Sequence, residues 1–250
     1  MRTALVTGGA VRVGRAFVEA LVADGWAVAI HCHGSLDRGR SLAAELERSG
    51  VRVAVVPGDL ADDAAVAGIV PAAVAALGPL ELLVNSASIF ETDGSFDLTP
   101  AGFRRQTGIN LLAPVLLTRD FAAQLPSGTV GQVVNVLDQK VAFPLPDYLS
   151  YTLSKTGLAT ATRLQAIELA PRVRVNAIAP GLTLPSGAQT QAEFEVAHPQ
   201  TPLGRGSHLE DLVAALRYLI AAPAVTGQIL YVDGGQRLDP RYTDRSITGA

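Results

Sequence analysis

Apolar and polar positions follow two regimes along the 250 residues. Short apolar, β-branched runs occupy 3–7, 26–31, 51–57, 81–84, 132–136, 173–177 and 228–232. Between them lie longer Ala- and Leu-rich stretches with helical spacing, at 12–24, 36–49, 62–77, 108–124, 149–170 and 208–221. Gly50 stops the second of these stretches and Pro171 the fifth. The near-continuous apolar run at 53–56 fits a sheet covered on both faces. Strands separated by helices of this length imply parallel βαβ units with right-handed crossovers. The expected architecture is α/β: one doubly wound, seven-stranded parallel sheet with helices on both faces, a single domain over 1–250. Ligands of such sheets sit beyond the carboxyl ends of the strands, so the residues ending each strand carry the chemistry. The polar stretch 239–250 reads as a tail that is poorly ordered or packs on a partner.

Composition narrows the class. Hydrophobic residues make up 48% and charged residues 17%, with a net charge of −3, which excludes a disordered chain. Twenty basic against 23 acidic residues argue against a nucleic-acid or anionic-membrane surface. Cys32 is the one cysteine, which fits a reducing compartment. The apolar run before Gly8 is too short for a signal peptide, and none reaches the ~18 residues of a membrane span. A soluble, cytoplasmic protein is expected. The four histidines lack zinc-site spacing, and strand alternation sends Cys32 away from His31 and His33, so no metal is expected.

The first strand ends in Thr7-Gly8-Gly9-Ala10-Val11-Arg12-Val13-Gly14 and a helix follows. Small residues there let backbone approach a pyrophosphate, and the helix N-terminus supplies amide donors and its dipole. An ordinary strand–helix turn reads the same way. The second strand ends in His31-Cys32-His33-Gly34-Ser35, with no acid before Asp37 to accept from a ribose hydroxyl. Arg12, His33, Ser35, Arg38 and Arg40 can instead surround a 2′-phosphate; solvated helix-face charge is the alternative. Tyr151 and Lys155 stand at i and i+4, on one helix face. A lysine ammonium beside a tyrosine favours the phenolate and makes it a better acid–base group. The chain has only two lysines, Lys140 and Lys155, among 20 basic residues. Lysine at 155 in so arginine-rich a chain marks a role arginine cannot fill.

These motifs resemble the short-chain dehydrogenase/reductase family over residues 3 to about 238. The resemblance implies a Rossmann-like fold and a nicotinamide cofactor. It places Gly8, Arg12, Val13 and Gly14 in the cofactor loop, although Arg12 stands where the family has glycine. Asp59 and Leu60 match its adenine contacts. Asn85-Ser86-Ala87-Ser88 resembles its NNAG element. Asn110 matches the asparagine of its proton relay, while Pro180, Gly181 and Thr183 match cofactor-binding positions after the sixth strand. Residues 184–205 match its substrate flap, where Glu193, Glu195 and His198 have no readable direction. Members are usually tetramers, and Leu158, Ala161, Leu164 and Ile167 permit such packing; a buried monomer helix would look alike.

Asp138 stands where most members have a serine that holds the substrate oxygen. Negative charge growing on a ketone oxygen ~4 Å from a carboxylate costs about 4 kcal/mol at an effective dielectric near 20, roughly a thousandfold in rate. Either Asp138 is protonated or the acceptor is a C=N bond, which takes a proton at nitrogen. Together Arg12, Asp138 and Ser88-Ile89-Phe90 resemble the pteridine reductase branch, including dihydromonapterin reductases. That branch implies NADPH as cofactor and Asp138, Tyr151 and Lys155 as catalytic residues. It implies that Arg12 contacts phosphate and pterin, that Ser88 contacts cofactor and substrate, and that Phe90 stacks on the pterin. Gly34 departs from the arginine common in its NADPH-selective turn. On the residues alone, Phe90 also reads as an apolar loop anchor and Asp138 as a loop hydrogen-bonder. The rival functions are a carbonyl or 3-oxoacyl reductase, a non-catalytic NADP(H) sensor and, remotely, a structural assembly protein.

Overall fold

The computed structural model describes residues 1–145, 147–187 and 189–238. Seven strands form one parallel sheet in the order β3-β2-β1-β4-β5-β6-β7. They are β1 (Thr3–Thr7), β2 (Ala27–Cys32), β3 (Val53–Pro57), β4 (Leu82–Asn85), β5 (Gly131–Val136), β6 (Val173–Pro180) and β7 (Ile229–Val232). Among the described residues the α-helices are α1 (Arg12–Ala23), α2 (Leu36–Leu46), α3 (Asp63–Leu77), α4 (Pro100–Thr107), α5 (Ala113–Gln124), α6 (Leu149–Glu168), α7 (Gln191–Ala197) and α8 (Leu209–Ala221).

Alternation along the central strands divides the core. Ala4 and Val6 of β1 join Phe17, Leu21, Leu212 and Leu216 under α1 and α8. Leu5 faces the other way, with Ile69, Leu117 and Phe121 under α3 and α5. Both faces of β1 are therefore dry, which is why it reads as a continuous apolar run. Strand order reverses between β1 and β4, and there the two chain exits part to leave a crevice. Thr7 holds the two exits in register: its Oγ1 accepts from the Ser86 and Ala87 amides, both at 3.0 Å.

The expected helix at 108–124 is a π turn followed by α5, and a further helix, α4, precedes it. Thr99 caps α4, accepting from the Gly102 amide at 3.1 Å, and Pro100 sits in the first turn, so helix begins at 100. A π turn over Gly108–Leu112 then joins α4 to α5. β6 runs three residues past its expected end because Ala179 and Pro180 pair with Tyr231 and Val232. The flap contains α7, closed by a reciprocal cap between Thr190 and Glu193. The tail expected at 239–250 lies outside the described residues. No helix among the described residues is long and apolar enough to cross a membrane.

Candidate active site

A cleft of about 500 Å³ opens over the carboxyl ends of β1, β4, β5 and β6. Its floor is the turn after β1. Gly8 has φ +63, and a side chain there would meet Ala87 Cα at 2.9 Å. Arg12 occupies the same left-handed region (φ 53), the conformation that suits the glycine usual at this place. A non-glycine residue held there marks a site where strain is tolerated for function. The N-cap of α1, Val11, offers no side-chain acceptor, so the first amides of α1 have no cap partner from it.

Behind this turn lies His31, which in the sequence is only part of the stretch that ends the second strand. His31 is buried; its Nδ1 accepts from the Gly8 amide at 3.4 Å and its Nε2 lies 3.1 Å from the Gly58 carbonyl. Burial holds its pKa down to about 4 against the smaller pull of Gly58, so the ring is neutral. Its partners fix the tautomer with the proton on Nε2. His31 thus supports the turn, a role that neither motif nor composition signals.

The reactive wall is the end of β5 against α6. Tyr151 donates to Asp138 Oδ2 at 3.0 Å, and Asp138 Oδ1 accepts from the Lys140 amide at 2.8 Å. Burial and then the Asp138 charge push the Tyr151 phenol well above its ordinary pKa. The expectation that Lys155 favours the phenolate is therefore corrected. Lys155 Nζ donates to the Val136 carbonyl at 2.8 Å and lies 5.7 Å from the Tyr151 ring. The nearer carboxylate and the burial outweigh it, and Tyr151 is a protonated donor at neutral pH. Burial lowers Lys155 to about 8, opposed by Asp138.

The third wall is the loop after β4. Phe90 stacks face to face on Tyr148 at 4.0 Å and 13°, and meets Tyr151 edge-on at 4.6 Å. Asn110, fully buried in the π turn, accepts from the Ile89 amide at 2.9 Å and Ser88 Oγ at 3.1 Å. Its Nδ2 donates to the Ile89 carbonyl and to Ser154. These bonds make Asn110 an anchor of the Phe90 loop.

Of the expected cofactor residues, Gly8, Arg12, Val13, Gly14, Ser86, Ala87, Tyr151, Lys155, Pro180, Gly181 and Thr183 line the cleft, as do Ser88, Phe90 and Asp138. Others do not reach it. The Asn85 side chain is spent on Asn135, at 2.8 Å, in a buried polar ladder that continues to Thr162. Leu60 is buried under α3. His33 faces Asp59 at 3.8 Å at the sheet edge, beside Ser35 at the start of α2. Lys140, Gln139 and Gln236 line the cleft without having been expected there. In the flap, Glu193 is the cap partner of Thr190, and Glu195 accepts from Gln191 at 2.9 Å. His198 is buried against the Ser207 carbonyl at 3.0 Å. The glycine turn and the flap meet where Arg12 donates to the Pro185 carbonyl at 2.8 Å.

A parallel sheet with a small-residue turn at its switch point and a buried tyrosine–lysine pair on the adjacent helix defines a dinucleotide-binding oxidoreductase fold. A family model described as enoyl-(acyl carrier protein) reductase matches residues 9–237. The chain belongs to the short-chain dehydrogenase/reductase family and is an oxidoreductase. Its fold is similar to that of FolM alternative dihydrofolate reductase 1 from Brucella canis, complexed with NADP, with 43% identity and a TM-score of 0.91, over 97% of this chain and 98% of that one. The Brucella suis protein of that name, also in complex with NADP, matches at 44% identity and a TM-score of 0.90, over 95% and 96%. Cis-4-hydroxycyclohexanecarboxylate dehydrogenase of Sinomonas cyclohexanicum is 34% identical over 242 residues, 94% of this chain and 96% of that protein.

Proposed function

We propose that the protein reduces a C=N bond of a dihydropterin with NADPH. The observation that carries this reading is the Tyr151 phenol donating to the Asp138 carboxylate inside a cleft walled by Phe90. The residues fit the dinucleotide: the turn at Gly8 leaves no room for a side chain, the first amides of α1 lack a side-chain cap, and Arg12 adds a cation. Gly8, Arg12, Val13 and Gly14 would hold its phosphates, with Ser86, Ala87, Pro180, Gly181 and Thr183 flanking the nicotinamide half. When bound, it supplies the hydride. The NADP complexes of the two Brucella proteins support this cofactor, and their designation as alternative dihydrofolate reductases supports the substrate class.

Phe90 offers a planar ring wall in the cleft, suited to a flat heterocycle. Arg12 and Ser88 line the same cleft and supply polar groups to it. Tyr151, held protonated, gives its proton to the ring nitrogen as the neighbouring carbon is reduced. The Asp138 carboxylate favours positive charge on a nitrogen taking up the proton and disfavours an oxyanion, which selects C=N over C=O. Lys155 holds the nicotinamide ribose while its ammonium is charged. Exposed Leu164 and Ile167 on α6 support assembly with further copies of the chain, as a homotetramer, whereas Leu158 belongs to the core.

A second reading, reduction of a ketone, has the Sinomonas relative in its favour. NADPH oxidation measured with 7,8-dihydropterins in one set and simple ketones in another, with NADH beside it, separates the two. Dihydropterin turnover with NADPH is expected. Ketone turnover with inert pterins would overturn the assignment.

A further inference from the structure

Helix α6 carries Tyr151 in its first turn, yet its own sequence supplies no cap. The N-cap position is Tyr148, in the left-handed region (φ 55, ψ 52), and its side chain makes no capping bond. The acceptor comes from another element. Asp93, in the loop after β4, takes the Ser150 amide on Oδ1 at 2.9 Å and the Ser150 hydroxyl on Oδ2. Its carbonyl takes the Leu149 amide at 3.0 Å. A carboxylate at this end also complements the helix dipole. Asp93 lies three residues beyond Phe90, and Ser150 directly precedes Tyr151, so the clamp joins the loop bearing the ring wall to the helix bearing the proton donor. Across that joint Phe90 stacks on Tyr148 and meets Tyr151 edge-on.

We infer that Asp93, which does not line the cleft, is a positioning residue that sets the Phe90 wall against Tyr151 and so fixes the width of the substrate slot. The inference rests on reading that slot as the seat of a planar heterocycle. Capping from a distant loop replaces the local Ser, Thr or Asp that helices ordinarily use. Its loss would loosen the joint between loop and helix: the ties that remain, Asn110 to Ser88 and Ile89 on one side of Phe90 and Gln106 and Arg105 to Glu91 on the other, hold the loop to α4 and the π turn rather than to α6. The glycine turn is untouched by any of these contacts.

The test compares wild type with Asp93→Ala, Asp93→Asn and Ser150→Ala. The readouts are hydrogen exchange at the Leu149 and Ser150 amides and steady-state KM and kcat for a 7,8-dihydropterin and for NADPH. Asp93→Ala is expected to expose both amides to exchange. It should raise the dihydropterin KM about fivefold to tenfold, with kcat and the NADPH KM within about twofold. Asp93→Asn, which still offers an acceptor to the Ser150 amide, should restore most of both. Ser150→Ala removes one bond of three and should fall between; it keeps the test open if Asp93→Ala does not fold. A merely structural role would lower the active fraction, and so kcat, with KM unmoved; that pattern would overturn the inference. Unchanged exchange in Asp93→Ala would overturn it equally. Wild-type enzyme inert toward dihydropterins would sink the functional reading instead, and the exchange arm would then decide the clamp alone.

Discussion

Replacing Asp138 by serine gives the sharpest consequence of the site. In the wild type the carboxylate sits 3.0 Å from the Tyr151 hydroxyl, and it is one of the groups that hold the phenol's pKa high. A substrate atom accepting the Tyr151 proton would lie ~4 Å from that carboxylate, where one unit charge acts on another with about 4 kcal/mol at an effective dielectric near 20. On a nitrogen being protonated this interaction is favourable; on an oxygen gathering negative charge it is unfavourable. Asp138→Ser removes it in both cases and leaves a neutral hydroxyl near the phenol. Dihydropterin kcat/KM should therefore fall by about 10²–10⁴, the usual worth of a placed acid–base group. Ketone turnover should rise, by at most roughly a thousandfold. The assay is NADPH oxidation on both substrate sets, with the NADPH KM as a check that the cofactor site is intact. Full dihydropterin turnover in Asp138→Ser would refute the electrostatic reasoning, whatever the ketone result.

Three further outcomes are expected. Lys155 titrates at about 8 in the buried site, so kcat/KM for NADPH should be level below pH 8 and fall above it as the ammonium is lost. Lys155→Arg should carry that limb out of range, and a profile flat to pH 10 in the wild type would count against the ribose role. His31, with its pKa lowered to about 4, contributes stability that is present above pH 6.5 and lost as pH falls toward 4. The amount is about 3 kcal/mol at most, and urea unfolding of His31→Leu at pH 7 and pH 4.5 should show a smaller acid loss than wild type. Phe90→Ala should raise the dihydropterin KM roughly threefold to tenfold, as expected for removing one ring-stacking partner; an unchanged KM would assign Phe90 to the loop alone.

The sheet was legible because its central strands are dry on both faces and its helices are not. The reactive wall was legible because Tyr151 and Lys155 lie one helical turn apart, and Asp138 ends a strand at a recognisable place. What escaped was set by contacts across the chain. Asp93 caps a helix that starts 56 residues later, and no local pattern announces such a partner. His31 acts through the Gly8 amide and Gly58 carbonyl, groups common to every residue. Asn85 matched its motif, yet its side chain turns into the core to meet Asn135, because strand pairing puts the two amides side by side. The short helix α7 was readable after all, in the Thr190 and Glu193 spacing of a capping box.

The most direct test of the account follows the hydride itself. A 7,8-dihydropterin is incubated with NADPH deuterated at the transferring carbon, and the product is located by mass spectrometry and proton NMR. One deuterium per molecule is expected, on a ring carbon bonded to nitrogen, with the rate collapsing in Tyr151→Phe. A pterin product without label, or label appearing only in alcohols formed from added ketones, would contradict it.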